Sequence, residues 1–264
     1  MTILDKIVAQ KRIEVANAKA ATSIRQLEQS ALFLRENSSL KNRLMDDDSS
    51  GIIAEFKRKS PSKGMLNATA DPVEVVSGYE KAGVAGSSVL TDELFFGGSF
   101  KDLTAARNAV SIPLLRKDFM IDEYQFIEAK SWGADVVLLI ASILTPAEVK
   151  QFTSLANSLD LEVLLELHDE SELDHVYHLV DMVGINNRNL KTFEVDIEQS
   201  VRMAERLGND FVKVAESGIS HPEDVRMFRQ NGFKGFLIGE IFMKSVSPSV
   251  LCADFIREIK VHQK

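Results

Sequence analysis

Cysteine is nearly absent from this chain of 264 residues, with Cys252 the only one. A lone thiol excludes an internal disulfide and a thiolate metal cluster, and its place in a late apolar helical pattern reads as a small core residue. Long apolar runs are missing as well; none approaches the roughly 20 residues of a membrane-spanning helix. Near the start, Asp5, Lys6, Lys11, Arg12 and Glu14 interrupt what would be the apolar core of a secretory leader. Positive charge is in deficit, with 31 Lys and Arg against 39 Asp and Glu and a net charge of −8. That balance argues against the basic face of a nucleic-acid binder. The expectation is a cytoplasmic protein with neither membrane nor nucleic acid as partner, in which an anionic ligand needs a locally positive pocket. No G-x-G-x-x-G follows the first apolar run, no flavin, nicotinamide or pyridoxal signature is found, and no Ser/His/Asp arrangement can be assigned.

What the chain does have is rhythm. Residues 2 to about 34 read as helix, with Leu4, Ile7, Val8, Val15 and Ala18 at helical spacing. The acidic connection MDDDSSG follows, Met45 to Gly51. From there short apolar runs alternate with amphipathic segments. The runs are Ile52–Phe56, Ser88–Leu90, Pro113–Leu115, Val136–Ile140, Glu162–Leu165, Met182–Ile185, Phe211–Val214 and Phe236–Ile238. Helix starts are marked by Thr145-Pro146-Ala147-Glu148, by Ser220-His221-Pro222-Glu223, and by Asp169 with Glu172, which can satisfy the free N–H groups of a first turn. Strands alternating with helices imply parallel pairing, and eight such units predict a closed (β/α)₈ barrel over 51–264. The segment 1–50 would be a helical extension of that one domain. An open doubly wound sheet is the structural alternative.

In a (β/α)₈ barrel the site lies at the C-terminal ends of the strands. The first strand ends in Glu55 and Lys57, which share a face; the third in Lys117; the fifth in Glu166; the sixth in Asn186 and Arg188, again on one face; the seventh in Glu216, Ser217 and Gly218; the eighth in Gly239 and Glu240. Asp92, Glu93, Arg58, Lys59 and Glu240 read equally well as caps or local ion pairs. Lys57, Lys117, Glu166, Asn186 and Arg188 converge on one rim, where clustered charge shifts pKa values in the way acid–base catalysis uses. The turns ESGI and IGE on adjacent strands predict a phosphate seat. His175 and His178, at i and i+3, read as a solvated face, and His168 and His221 as local to helix starts.

The motifs ILDKIVAQKR, IIAEFKRKSPSKG, SVLTDELFFGGSF, PLLRKDFMIDEYQ, GADVVLLIASIL, GINNRNL, VAESGI and FLIGEIFM resemble the indole-3-glycerol phosphate synthase family of tryptophan biosynthesis, through all eight units in order. The resemblance implies a carboxy-lyase. It would close the ring of 1-(2-carboxyphenylamino)-1-deoxyribulose 5-phosphate, with loss of carbon dioxide and water, to give indole-3-glycerol phosphate. It implies Lys117 as general acid, Glu166 as its acid–base counterpart, and Glu55 and Lys57 as catalytic residues beside them. Ser60, Asn186, Arg188 and Glu216 would bind substrate, with Arg188 meeting the anthranilate carboxylate. Ser217, Gly218, Gly239 and Glu240 would hold phosphate. Family members often carry serine where this chain has Glu240, which leaves the backbone N–H for the anion. An N-terminal helix over the barrel mouth is also implied.

The chemistry is self-consistent. A lysine ammonium can protonate the carbonyl oxygen during ring closure, and the iminium formed is the electron sink for decarboxylation, so no cofactor and no metal are expected. A barrel without an exposed sheet edge is expected to be a monomer. Alternatives are another phosphate-binding barrel enzyme, such as a phosphoribosylanthranilate isomerase, or a Schiff-base aldolase using Lys57 or Lys117 as nucleophile.

Overall fold

The computed structural model describes residues 2–61, 63–188 and 196–261. Ser62, Asn189 and Leu190, which belong to two of the motifs above, lie outside these. Eight parallel strands close into a barrel: β1 (Ile52–Phe56), β2 (Gly86–Leu90), β3 (Leu114–Lys117), β4 (Val136–Ile140), β5 (Glu162–Leu167), β6 (Met182–Asn186), β7 (Val212–Glu216) and β8 (Phe233–Ile238). Ile52 of β1 pairs with Phe236 of β8 and Ile53 with Gly86 of β2, which completes the ring. The predicted (β/α)₈ barrel is therefore present, and the open sheet is not. The extension supplies α1 (Ile3–Ala21), α2 (Ile24–Glu28) and α3 (Leu40–Met45). Around the barrel run α4 (Pro72–Ala82), α5 (Glu93–Phe96), α6 (Phe100–Ala109), α7 (Tyr124–Ser131), α8 (Pro146–Ser158), α9 (Ile197–Leu207), α10 (Pro222–Gln230), α11 (Glu240–Lys244) and α12 (Pro248–Val261).

Strand periodicity sorts the core into two shells. Ile52, Ala54 and Phe56 of β1, Val163, Leu165 and Leu167 of β5, and Phe236 and Ile238 of β8 point outward and pack under the helices. The opposite parity, with Ile53, Leu115, Leu138, Leu164, Met182, Val214 and Leu237, fills the barrel interior. Continuing that inward parity toward the C-terminal end leads from Ile53 to Glu55, from Leu115 to Lys117, from Leu164 to Glu166 and from Val214 to Glu216. Alternation thus seals the lower barrel with hydrocarbon and lines its mouth with charge.

Several strands run past the apolar stretches that announced them. β3 extends to Lys117, β5 to Leu167, β6 to Asn186 and β7 to Glu216. The ladder is a backbone interaction, so an ionisable side chain facing the mouth does not end it. The single helix expected over 2–34 is broken. Thr22 turns to extended backbone, and Ser23 caps α2 by accepting the Gln26 N–H; short hydroxyl side chains favour caps over helix interiors. After β5 the chain forms a 3₁₀ turn, Glu170–His175, in place of the expected α-helix. Thr145 and Glu148 cap α8 reciprocally as expected. At α10 the cap is Asp224, not Glu223, accepting the N–H groups of Ser220 and His221. A small antiparallel hairpin, Lys59–Ser60 with Gly64–Met65, follows β1 without an apolar run to announce it.

The extension closes both ends of the barrel. Leu40 and Leu44 of α3 join the interior cluster, and Glu162 at the start of β5 accepts the N–H groups of Leu40 and Lys41, which places α3 under the N-terminal ends of the strands. At the mouth, α1 buries Ile7 and fixes itself through Lys11. The Lys11 ammonium lies 2.9 Å from Asp118, 3.0 Å from Asp92 and 2.7 Å from Glu14. Burial alone would lower the Lys11 pKa, but Asp118 and Asp92 outweigh it and hold the ammonium well above its usual range.

Removing one partner of a buried ion pair leaves the other charge uncompensated. Lys11→Met is expected to cost about 3 kcal/mol, read as a lower midpoint in denaturant unfolding and faster amide exchange along α1. Unchanged exchange in α1 would show that the lysine does not hold it.

Candidate active site

The residues that the resemblance implies for catalysis, substrate and phosphate all line one cavity of about 190 Å³ at the barrel mouth: Glu55, Lys57, Ser60, Lys117, Glu166, Asn186, Arg188, Glu216, Ser217, Gly218, Gly239 and Glu240. Phe96, Phe119, Leu90, Leu138 and Ile140 supply an apolar wall, and Ile3, Leu4 and Ile7 of α1 close it from above. One side of the cavity is thus hydrocarbon and suits a flat ring; the other is ionic.

Lys117 is the centre of the ionic side. Its Nζ lies 3.0 Å from Glu166 Oε2 and 2.7 Å from Glu216 Oε2. Burial disfavours its charge, but Glu166 and Glu216 overcome that and raise its pKa above the ordinary lysine range. Glu166 is a hub: Oε1 accepts from Asn186 at 3.2 Å and lies 3.0 Å from His168 Nε2. Burial would raise its pKa; the charge of Lys117 and the close contact with His168 prevail and hold it well below the usual carboxylate range. Glu216 is 1% exposed. Burial, then the charge of Glu166, push its pKa up to about 8 despite Lys117. The two carboxyl groups on one ammonium are therefore pushed in opposite directions, Glu166 toward its ionised form and Glu216 toward its protonated one, a division typical of acid–base sites.

Glycine makes this packing feasible. A Cβ at Gly184 on β6 would lie 2.2 Å from Glu216 Oε1, and one at Gly239 would lie 2.8 Å from Glu55 Oε1. Each glycine clears space for a carboxylate on a neighbouring strand. Glu55 in turn pairs with Lys57.

At the end of β7, Ser217 and Gly218 both have left-handed backbone, with φ of 65° and 74°. That conformation costs a non-glycine residue on the order of 1 kcal/mol. Asn187, 3% exposed, braces the turn: its Nδ2 donates to Ser217 O at 2.6 Å and its N–H to Glu216 O at 2.8 Å. Across the cavity Arg188 Nη2 donates to Glu240 at 3.3 Å, and Lys244 to the same carboxylate at 2.6 Å.

A family model described as indole-3-glycerol phosphate synthase matches residues 4–255. The chain belongs to that family. It is 50% identical over 258 residues to the indole-3-glycerol phosphate synthase of Bacteroides thetaiotaomicron, covering 98% of this chain and 99% of that one. To the enzyme of the same name from Neisseria gonorrhoeae it is 46% identical over 250 residues, covering 92% and 95%. Among solved structures, 3-hexulose-6-phosphate synthase of Salmonella typhimurium superposes with a TM-score of 0.63 at 12% identity, over 80% of this chain and 99% of that one. A thiamine phosphate pyrophosphorylase from Pyrococcus furiosus superposes with a TM-score of 0.59 at 15% identity, over 84% and 97%. At such identities the likeness is one of fold.

At this cavity several expectations change. The pocket is not a positive one: Lys57, Lys117 and Arg188 each contact a carboxylate. Asp92 and Arg58 do serve structure, Asp92 by capping α5 and pairing with Lys11, Arg58 by pairing with Asp102. His168 does stand beside the start of the 3₁₀ turn, its N–H donating to Glu172 at 2.6 Å, but its ring is not merely local: it lies 3.0 Å from the Glu166 carboxylate. The signal for it is its place two residues past Glu166, just beyond the end of β5. His175 is not on a solvated face, since its ring nitrogens lie 2.9 Å and 3.2 Å from the carbonyls of Leu144 and Glu172. Asn187 and Asp118 escaped notice because their partners are distant in sequence.

A carboxyl whose folded pKa is raised binds its proton more tightly in the native state, so its contribution is complete below the unfolded value near 4.5 and is lost as pH rises through about 8. Thermal unfolding of the wild type should weaken over that window, and Glu216→Gln should flatten the slope; an unaltered slope in the variant would assign it elsewhere. Gly184→Ala is expected to lose about 1–3 kcal/mol by overpacking against Glu216, measured by urea unfolding, with Glu216→Ala restoring part of the loss.

Proposed function

We infer that the chain is an indole-3-glycerol phosphate synthase, closing the ring of 1-(2-carboxyphenylamino)-1-deoxyribulose 5-phosphate with loss of carbon dioxide and water. The observation that carries this reading beyond family membership is Lys117, an ammonium held charged by two buried carboxylates and facing an apolar wall. In this reading the anthranilate ring lies against Phe96, Phe119 and Leu138, which brings its nucleophilic carbon toward the ribulose carbonyl. Lys117 protonates the carbonyl oxygen as the carbon–carbon bond forms. The iminium then draws the electrons of the breaking carbon–carboxylate bond. Dehydration needs a base for the remaining ring-system proton and an acid for the departing hydroxyl. Glu166, ionised, suits the base, and the group set of Lys117, Glu216 and Glu55 contains the acid.

Binding follows from the same geometry. Arg188 and Lys57 offer cations to the anthranilate carboxylate, Asn186 and Ser60 offer hydrogen bonds to hydroxyls, and phosphate sits on the backbone N–H groups of Ser217, Gly218, Gly239 and Glu240. The Glu240 side chain is drawn by Arg188 and Lys244. The left-handed pair at Ser217 and Gly218 supports this seat, since successive turned peptide groups form anion-binding concavities. A Schiff-base aldolase needs a neutral amine, and the two carboxylates that hold Lys117 as an ammonium oppose that role. The chain is read as one domain over 1–264, acting as a monomer in the cytoplasm. The closed sheet offers no edge to a second copy, and no helix among the described residues is long and apolar enough to cross a membrane.

The test is indole absorbance or fluorescence during incubation with the carboxyphenylamino substrate. Lys117→Ala and Glu166→Gln should each lower kcat by about 10²–10⁴, while Arg188→Ala should act chiefly on KM. Borohydride should trap no substrate on lysine; a trapped adduct would favour the aldolase, and normal turnover by Lys117→Ala would remove its role as acid.

A further inference from the structure

The reaction inferred above takes up a proton. A carboxylate leaves as neutral carbon dioxide and a hydroxyl leaves as water, so substrate anion plus one proton balances product plus both leaving molecules. That proton has to reach a site 1–4% exposed at Glu216, Glu55 and Glu166, roofed by α1 and filled by substrate. The following inference rests on that reading of the reaction.

Glu166 touches a second space. His168, two residues beyond it and on the same face, does not line the inner cavity; it borders an outer cleft between α1 and the 3₁₀ turn. Its side chain is 8% exposed, and its Nε2, a buried nitrogen with no aligned hydrogen bond, lies at ion-pair distance, 3.0 Å, from Glu166 Oε1. Its Nδ1 lies 3.1 Å from Ser142 Oγ. Ser142 donates its only hydroxyl proton to Glu172 Oε1 at 2.7 Å, so it is a lone pair that faces the ring, and Nδ1 must carry a hydrogen. The nitrogen left to gain or lose a proton is Nε2, the one against Glu166. The His168 N–H also donates to Glu172 Oε2 at 2.6 Å, and Gln199 donates to the His168 carbonyl at 3.2 Å. Ring and backbone are thereby held in one orientation, and both Ser142 and Glu172 open on the outer cleft.

We propose that His168 supplies Glu166 with the proton that each turnover consumes, drawing it from the outer cleft and not through the substrate-filled mouth. The step follows ring closure, which leaves Lys117 a neutral amine and so removes the charge that held Glu166 ionised. The Nε2–H bond breaks with its electron pair staying on Nε2, and an O–H bond forms at Glu166 Oε1. The carboxyl turns to pass that proton to Lys117 Nζ, 3.0 Å from its other oxygen, which restores the ammonium and leaves Glu166 ionised again as the base. The neutral ring regains a proton from water in the cleft; nothing is oxidised or reduced. The charged groups around the imidazole are Glu166 and Glu216 from the barrel, Glu172 and Asp169 from the segment after β5, Glu148 at the start of α8, and Asp5 and Arg12 across the cleft on α1. Burial lowers the imidazole pKa, but Glu166, Glu172 and Glu216 together raise it above its ordinary value, which keeps a proton in store. His168 acts through Glu166 and is a positioning and proton-supplying residue, not one in contact with substrate.

Two measurements test this. Nitrogen NMR of the imidazole, in the protein without substrate, should show Nδ1–H and a titration midpoint above the ordinary value near 6.5. That midpoint should fall by about one unit or more in Glu166→Gln; an unmoved midpoint overturns the coupling. In turnover, His168→Asn should lower kcat about tenfold or more with KM within about twofold, and should shift the alkaline limb of the kcat–pH profile. Free imidazole should restore rate to His168→Gly. Wild-type kcat and pH profile in His168→Asn would overturn the proposal. Absence of indole formation by the wild type would instead sink the functional reading, and the NMR midpoint decides the His168–Glu166 coupling independently.

Discussion

One ammonium shared by two buried carboxylates is the constraint around which this molecule is organised. Lys117, Glu166 and Glu216 come from the third, fifth and seventh barrel strands. Their contacts at 3.0 Å and 2.7 Å exist only if those strands are closed into a ring in the observed register. A shift of one residue in any of them would turn its charge into the hydrocarbon under the helices. A buried charge without its counterion is costly, so the cluster penalises misregistered barrels as well as furnishing chemistry. It also sorts protons: burial acts on both glutamates alike, but His168 and Asn186 favour the ionised form of Glu166, while Glu216 bears the repulsion.

The N-terminal extension belongs to the same system. Asp118, which receives Lys11 of α1, is the residue after Lys117. The contact that holds the roof is therefore one peptide bond from the lysine beneath it. Asp118 also accepts from Thr91 at 2.6 Å and from Arg116 at 3.1 Å; burial would raise its pKa, but Lys11, then Arg116 and Thr91, hold it well below the usual carboxylate range. At the other end, α3 draws Glu162 and the interior leucines together. Fifty residues that a barrel does not need for closure thus fasten its top and its base.

Much of this could be read from the chain because parallel barrels separate their information by face. Apolar alternation in runs such as Ile52–Phe56 announces strands, and the next inward position names the candidate site residue; Glu55, Lys117, Glu166 and Glu216 were found in this way. Where local signals were mistaken, tertiary partners decided. The run 2–34 reads as one helix, yet Thr22 turns to extended backbone and Ser23 starts a new helix because its hydroxyl finds a partner at the cap, the Gln26 N–H. Asp169 and Glu172 look like a capping box, but Glu172 turns back to the His168 backbone and to Ser142, and a tight turn results. Lys11 looks like one more surface charge; nothing in its neighbours reveals that Asp92 and Asp118 will surround it. Long-range ion pairs leave no periodic trace, and so they were the part least accessible to pattern.

Gly184 and Gly239 carry a lesson for anyone who would transplant this mouth to another scaffold. A transplant that copied the lysines, glutamates and arginine but accepted alanine at those two places would collide with its own acids. The missing methyl groups are part of the catalytic blueprint, and an inventory of reactive side chains alone does not transfer it.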